Sequence, residues 1–551
     1  MEPNNQPRRQ DHVPGTVYLV DDPGSGRHAK SDILMVPAPS EDLDDPLRWS
    51  EWRKAYHLGL LVLVIHSANA NAYSTVLGAI TNWASVVYVT FLQLYNTTPT
   101  ALNVGFALNL LMLGLANVVL IPISNKLGRR FIYLLSLVIC GCSMIWQAKA
   151  TTIGEFQGIN ILLGIGAAPF EALVALSIAD VFFTHERGAK ISYYVFGLSL
   201  GSFIGPVCAG YMYESQGWQW IFWWGAIFCA FLFVIFYFTF EETLMRRAPS
   251  LEQMPQVIHV TAGPKVPASP EIRRDGTPLL QDLTSGPKVG QRLESTPFRL
   301  QYRLWKYFDT PWADVLNDFW WPLKLCYFPA VIWCGVFYGT CVSWLQVLGS
   351  TVANIFSAPP YNFSNAGLGL FWIAPMIGSV FGIIYSGPMN DQFVLWKSRR
   401  NHGYREPEFL LWCALPTAII MPAGLMLYGI TSAHGLPWIA PHVGGALVGF
   451  GLAVGGEVSI SYTIDCYKMI DTQAITTVIL IRNIIGFAIT WAIQPWINAM
   501  GQQDAFVLVG VLSFIITCIA GAFIAYGKKW RRWTTARYER LAQERLSMIA
   551  R

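Results

Sequence analysis

Charged residues are scarce in this chain: only 13% of its 551 residues are Asp, Glu, Lys or Arg, while 53% are hydrophobic. An ordinary soluble domain carries about a quarter charged residues, and a soluble chain of this length divides into several such domains. That class is excluded. No cleavable leader is visible either, because the first fifty residues are polar and hold no apolar core. The first apolar span is therefore expected to serve as the targeting signal. The ten cysteines form no Cys-x-x-Cys pair and nearly all lie in apolar runs, which argues against structural disulfides and a zinc site. No metal and no organic cofactor is expected. A phosphate-cradling Gly-x-x-x-x-Gly-Lys-Ser/Thr loop is lacking, so direct drive by ATP is disfavoured. No nucleophile–base set stands out, and an enzyme is not expected.

What is present is a succession of apolar runs long enough to cross a bilayer as helices. Residues 1–52 are polar and Pro-rich and read as a disordered cytosolic tail. Spans are then predicted at Lys54–Val76, Leu102–Ile123, Phe131–Gln147, Phe156–Phe182, Ile191–Tyr213 and Trp220–Phe240. Residues 241–321 are hydrophilic and read as a flexible cytosolic linker, whose aromatic and basic end suits the inner leaflet. Six more spans are predicted at Pro322–Leu348, Ala366–Gly387, Phe409–Tyr428, Trp438–Tyr462, Ala474–Trp496 and Phe506–Ala525. A basic cytosolic tail, residues 527–551, closes the chain. The predicted fold is an all-α membrane protein of twelve transmembrane helices in two six-helix bundles, residues 53–240 and 322–526.

Lys and Arg crowd NKLGRR, HERGAK, the central linker, LWKSRRNHGYRE and the C-terminal tail. By the positive-inside bias both termini and the linker are cytosolic. The two Asn-x-Ser/Thr acceptors, Asn96 and Asn362, fall in the first and seventh loops, which are external on this topology and open to glycosylation.

The stretch from Gly164 to Gly210 organises the rest. It carries an acid, Glu171, near the middle of one run, and Gly201, Gly205, Pro206 and Gly210 in the next. An intramembrane acid and a Gly-Pro break both cost free energy, so neighbouring helices or a water-filled cavity must support them. The second run resembles the Gly-x-x-x-Gly-Pro-x-x-Gly-Gly motif in the fifth helix of drug:proton antiporters of the major facilitator superfamily, most of all their fungal branch. Ala209 replaces the first glycine of the final pair. SIADVFFTHERG, residues 177–188, resembles the exit of that branch's fourth helix, and DDPLRWSEWRK its lead-in segment, with Arg48 where Asn is usual. PISNKLGRR, with Asn125, Lys126, Gly128, Arg129 and Arg130, is similar to the superfamily's cytosolic Gly-x-x-x-Asp-x-x-Gly-Arg-Arg signature, with Asn125 where Asp is usual. The resemblance covers about Asp45 to about Lys528. It departs at Asn160, where drug antiporters often carry an Arg credited with a part in proton coupling.

Several residues are candidates for chemistry. Glu171 is the best remaining acid of the first bundle; its bland alternative is a structural Glu bonded to a neighbouring helix. Glu457 and Arg482 both lie toward the cytosolic halves of their spans, and the sequence leaves open whether they pair. His66, near Asn69 and Asn71, titrates near neutral pH, although a lone helical His is more often simply hydrogen-bonded. Tyr338, Trp344 and Gln346 are weaker candidates for cavity lining. The glycines of the fifth helix either seal the substrate path or serve ordinary close packing. Gly128, Arg129 and Arg130 either latch one conformation or enforce topology.

The resemblance implies a proton-coupled secondary transporter working by alternating access and exporting an amphipathic small organic molecule, a drug or a fungal secondary metabolite. The proton gradient is the expected energy source. The runner-up is proton-coupled uptake of a small nutrient or polyamine; a non-transporting membrane sensor is a third reading. The expected setting is the plasma membrane, with the vacuolar membrane as the alternative. The expected partners are a small-molecule substrate and the lipid bilayer, without nucleic acid, and the chain is expected to act as a monomer.

Overall fold

A computed structural model of the chain describes residues 13–18, 45–61, 73–182, 184–244, 311–401 and 404–550. His66, Asn69, Asn71 and most of the predicted linker lie outside the described residues.

The first bundle begins with α1 (Glu51–Leu61) and α2 (Tyr73–Asn82). A 3-10 turn at Trp83–Ser85 follows, and α3 (Tyr88–Leu94) leaves it bent by 54°. Next come α4 (Pro99–Leu127), α5 (Arg129–Gln147), α6 (Ile153–Ala167), α7 (Pro169–Val181), α8 (Thr184–Gln216) and α9 (Trp218–Thr239). Local chemistry sets the ends. Thr98 caps α4, with Pro99 at its first position, and Thr152 with Glu155 forms a capping box at the start of α6. Gly128, at φ 93°, turns the chain between α4 and α5.

Two short helices, α10 (Trp312–Asp318) and α11 (Trp321–Leu325), precede the second bundle. That bundle consists of α12 (Pro329–Phe356), α13 (Asn365–Leu370), α14 (Ile373–Ile384), α15 (Asn390–Arg400), α16 (Ala414–Ala433), α17 (Ile439–Cys466), α18 (Asp471–Met500) and α19 (Gln502–Ala550). A π-helical turn at Tyr385–Met389 joins α14 to α15. Among the described residues, eleven helical stretches are long and apolar enough to cross a membrane, and the bent α2–α3 pair makes a twelfth.

Several boundaries differ from those read in the sequence. The first span does not stop at Val76 but stays helical to Asn82. The fourth runs as one span over Ile153–Ile178, its helix interrupted only at Ala168. The seventh starts at Pro329 instead of Pro322 and continues to Phe356. The last extends beyond Ala525, and the basic tail continues α19 to Ala550. Part of the expected disordered N-terminal tail is also structured. Val17–Tyr18 forms β1, paired antiparallel with β2 (Tyr404–Arg405), and Pro46–Arg48 forms a 3-10 turn capped by Asp45.

Within the first bundle α2 packs on α8, α4 on α6 and α5 on α9; within the second α14 packs on α17, α16 on α19 and α12 on α18. The bundles meet along α4 and α18, and along α8 with α13 and α14. The candidate site lies on that seam.

Candidate functional site

Pro169 has no N–H to bond back into α6, so the helical ladder is interrupted at Ala168, which keeps helical dihedrals, and the span carries on as α7. Glu171 stands in the first turn of α7. Its side chain reaches across the seam. Glu171 Oε1 pairs with the Arg482 guanidinium of α18, and Oε2 accepts a bond from Asn483 Nδ2 at 2.9 Å. Arg482 also donates from Nε and Nη2 to Asn483 Oδ1, at 3.3 and 3.1 Å, and lies 4.9 Å from the Tyr338 ring centre. Tyr194 of α8 donates to the Phe170 and Glu171 carbonyls at 2.9 and 2.7 Å, fixing the restart of α7.

The pair is dry, with side-chain exposures of 9% for Glu171 and 4% for Arg482. A buried charge without its partner is far costlier than the pair, so the two groups hold each other at the seam. Close approach is built in: a Cβ on Gly114 of α4 would sit 2.8 Å from Asn483 Cβ. Charged groups where the two repeats meet are the recurrent setting of substrate and ion sites in transporters built from repeats.

Arg482 does not join Glu457, the pairing left open by the sequence; its partner is Glu171 in the other bundle. Glu457 accepts a bond from Ser461 Oγ at 3.1 Å. The adjacent Gly456 packs on Tyr338, which lies beneath Arg482. Trp344 is buried at 1% exposure, so it does not face lipid. Asn160, in the position where an Arg is usual, bonds its own helix at Phe156 O, and its carbonyl accepts Asn109 Nδ2 at 3.1 Å. It ties α4 to α6. Asn483, Tyr194 and Pro169 were not singled out in the sequence. Pro169 was the available signal: a proline inside an apolar run, two residues before an acid.

The glycines of the fifth span divide their work. Gly201 and Gly205 face α2, where a Cβ on Gly205 would lie 2.6 Å from Ala79 Cα. Gly210 faces the other bundle, where a Cβ would meet Asn365 O at 2.6 Å. Pro206 meets that bundle too, through Gly369, whose added Cβ would lie 2.6 Å from Pro206 O. Glu214 then accepts a bond from Ala366 N at 3.0 Å. The motif thus joins α8 to its own bundle and to the opposing one.

At the α4–α5 turn, Arg129 Nε bonds Asp180 Oδ2 at 3.3 Å and its Nη1 bonds Ser124 Oγ at 2.6 Å. Glu242 accepts from the backbone N–H groups of Arg129 and Arg130 at 2.8 and 3.2 Å, closing the start of α5. Arg130 reaches Tyr237 O. Asn125 is half-buried in the last turn of α4, and Lys126 Nζ lies 3.9 Å from the Trp312 ring centre. Burial raises the Glu242 carboxyl above the usual range, against the lowering effect of its backbone bonds. Burial pushes Glu241 the same way, but the neighbouring His57 and the bonded Arg53 prevail and hold it low.

Asn96 and Asn362 are exposed, and each sits in a left-handed turn, at φ 44° and 49°. Expression in a eukaryotic host should attach glycan to both. Glycosidase treatment is expected to shift gel mobility, with a partial shift for Asn96→Gln or Asn362→Gln and none for the double variant. Labelling of either loop from the cytosolic side contradicts this topology.

The sequence profile of the Major Facilitator Superfamily matches residues 71–495. An uncharacterised MFS-type transporter of Schizosaccharomyces pombe is 30% identical, with 96% of this chain and 94% of that protein covered. Protein HOL1 of Saccharomyces cerevisiae is 27% identical over 96% of this chain and 97% of its own length. The MFS transporter cpaT of Aspergillus oryzae is 25% identical over 88% and 89%. Among solved structures, the xylose transporter XylE of E. coli, in a partially occluded inward-open conformation, superposes with a TM-score of 0.53 at 13% identity. That match covers 86% of this chain and 98% of XylE. The chain therefore belongs to the Major Facilitator Superfamily, as a multi-pass membrane transporter and not an enzyme.

Proposed function

We propose that the protein is a proton-coupled secondary transporter that exports an amphipathic small organic molecule by alternating access. One observation carries the reading: Glu171, the acid in the first turn of α7, is bonded across the seam to Arg482. A proton delivered to Glu171 cancels its charge, removes the attraction to Arg482 and frees α7 to part from α18. Loss of that proton restores the clamp. Asn483 and Tyr338 then hold Arg482 in place while the seam is open. The amphipathic substrate class is supported by the same seam, where one polar cluster sits among apolar walls. Export is supported by the fifth-helix motif, whose Pro206 and Gly210 pack against the opposing bundle while Gly205 holds α8 to α2. The plasma membrane is the proposed location, where glycan on Asn96 and Asn362 would face outward.

A second reading, uptake of a cationic nutrient, is favoured by Glu457, which bonds Ser461 and not Arg482. Purified protein in liposomes loaded with candidate compounds, under an imposed pH gradient, separates the two. Export requires substrate movement opposite to the proton; movement of both in one direction reverses the choice. Glu171→Gln is expected to keep binding and lose pH-driven accumulation. Wild-type accumulation by that variant would remove Glu171 from the coupling step.

A further inference from the structure

The inner ends of the two bundles are built alike. In the first, Arg129 at the start of α5 bonds Asp180 at the end of α7, and Glu242 beyond α9 closes that same start. In the second, Arg405 Nη2 bonds Asp465 near the end of α17 at 2.6 Å. Arg531 of α19 grips Glu408 through Nε and Nη2, at 2.9 and 2.6 Å. The repeat relation is plain, with acid and base exchanged at the last contact. The difference lies in what completes each end. The first uses residues of its own bundle, whereas the second is joined by residues 13–18.

Val13-Pro14-Gly15-Thr16 forms a turn closed by Thr16 N to Val13 O at 3.3 Å, with Gly15 at φ 87°. Proline followed by a positive-φ glycine is the signature of a type II turn. The turn lies against the bundle: a Cβ on Gly15 would sit 2.5 Å from Asp465 O and 3.2 Å from Cys466 Cα. Val13 is 5% exposed. Arg531 Nη1 donates to the Pro14 carbonyl, so one buried guanidinium serves both Glu408 and the turn. Val17 and Tyr18 then pair with Arg405 and Tyr404. Toward the first bundle the same N-terminal stretch is anchored again, where Asp45 caps Pro46–Arg48 and Leu47 and Trp49 are buried.

We propose that residues 13–18 are a releasable strap that completes the inner latch of the second bundle. A two-residue ladder, one turn and one Arg–carbonyl bond make a small contact, of the kind that opens locally without unfolding its host. Docked, the strap orders β2, and through it Arg405 and Glu408; released, it loosens this latch and leaves that of the first bundle untouched. The inference stands whichever way the transporter runs.

Hydrogen–deuterium exchange on the full-length protein in nanodiscs tests it. Gly15→Val places a side chain against Asp465 O and undocks the strap. Exchange across residues 404–413 is expected to rise about tenfold, the loss of one to two net hydrogen bonds, while residues 124–130 and 176–182 keep the wild-type rate. A synthetic peptide of residues 9–20, added to the variant, should restore protection, and the same peptide with Gly15→Val should not. Unchanged exchange at 404–413 overturns the strap. So does an equal rise at both bundle ends, which would mark general destabilisation, or failure of the wild-type peptide to restore protection.

Discussion

Arg482→Ala is expected to abolish transport and to lower the thermal stability of the purified protein. The substitution leaves Glu171 at a dry seam with only the Asn483 amide on its carboxylate. Removing one partner of a buried pair costs about 3–5 kcal/mol, because the remaining charge is uncompensated. Combining it with Glu171→Gln removes that charge, and the double variant should recover most of the stability while staying inactive. Thermal unfolding followed in detergent reads the first effect and liposome transport the second. A double variant no more stable than Arg482→Ala alone would show that the loss comes from packing against Tyr338, not from the orphaned acid.

Gly205→Leu should be as damaging to transport with far less harm to insertion. The added side chain would start 2.6 Å from Ala79 Cα and 2.8 Å from its carbonyl, both backbone atoms that cannot rotate away. Overpacking of this kind costs about 1–3 kcal/mol and here must push α2 from α8. Gly387→Ala is the matched control, since its Cβ would meet nothing within 4 Å. Surface amount, liposome transport and proton leak should be measured together. Gly205→Leu with normal surface amount and normal transport would show that this contact is not part of the seal.

The apolar runs made most of the fold legible, because a span announces itself by length and hydropathy alone. The same averaging hid the break at Ala168. Pro169 is flanked by Ala and Phe, and a long window reads straight through it. Glu171 was legible as a costly intramembrane acid, but its partner was not. Asn483, which shares its carboxylate, is 312 positions away, and no local pattern links them. Arg482 was visible and assigned a possible neighbour on its own bundle, the nearer choice in sequence. The basic C-terminal residues continue the last span as helix, and their charge gives no sign that this helix packs on the bundle. Leu541 and Ala542 within it are buried, at 6% and 7% exposure. The Val-Pro-Gly-Thr turn was readable in principle, yet nothing near it indicates a docking site some 390 residues further on, at Tyr404–Arg405.

On the proposed proton coupling at Glu171, the clamp at the seam also contributes to how the protein feels the membrane voltage. With Glu171 and Arg482 joined, the unit carries no net charge, and an electric field does almost no work when it shifts as a whole. A proton on Glu171 leaves the single positive charge of Arg482. One elementary charge crossing the full field exchanges about 2.3 kcal/mol per 100 mV, and a seam at mid-membrane feels a fraction of that. The proton-loaded carrier should therefore reorient at a rate set by voltage, and the proton-free carrier should be almost indifferent to it.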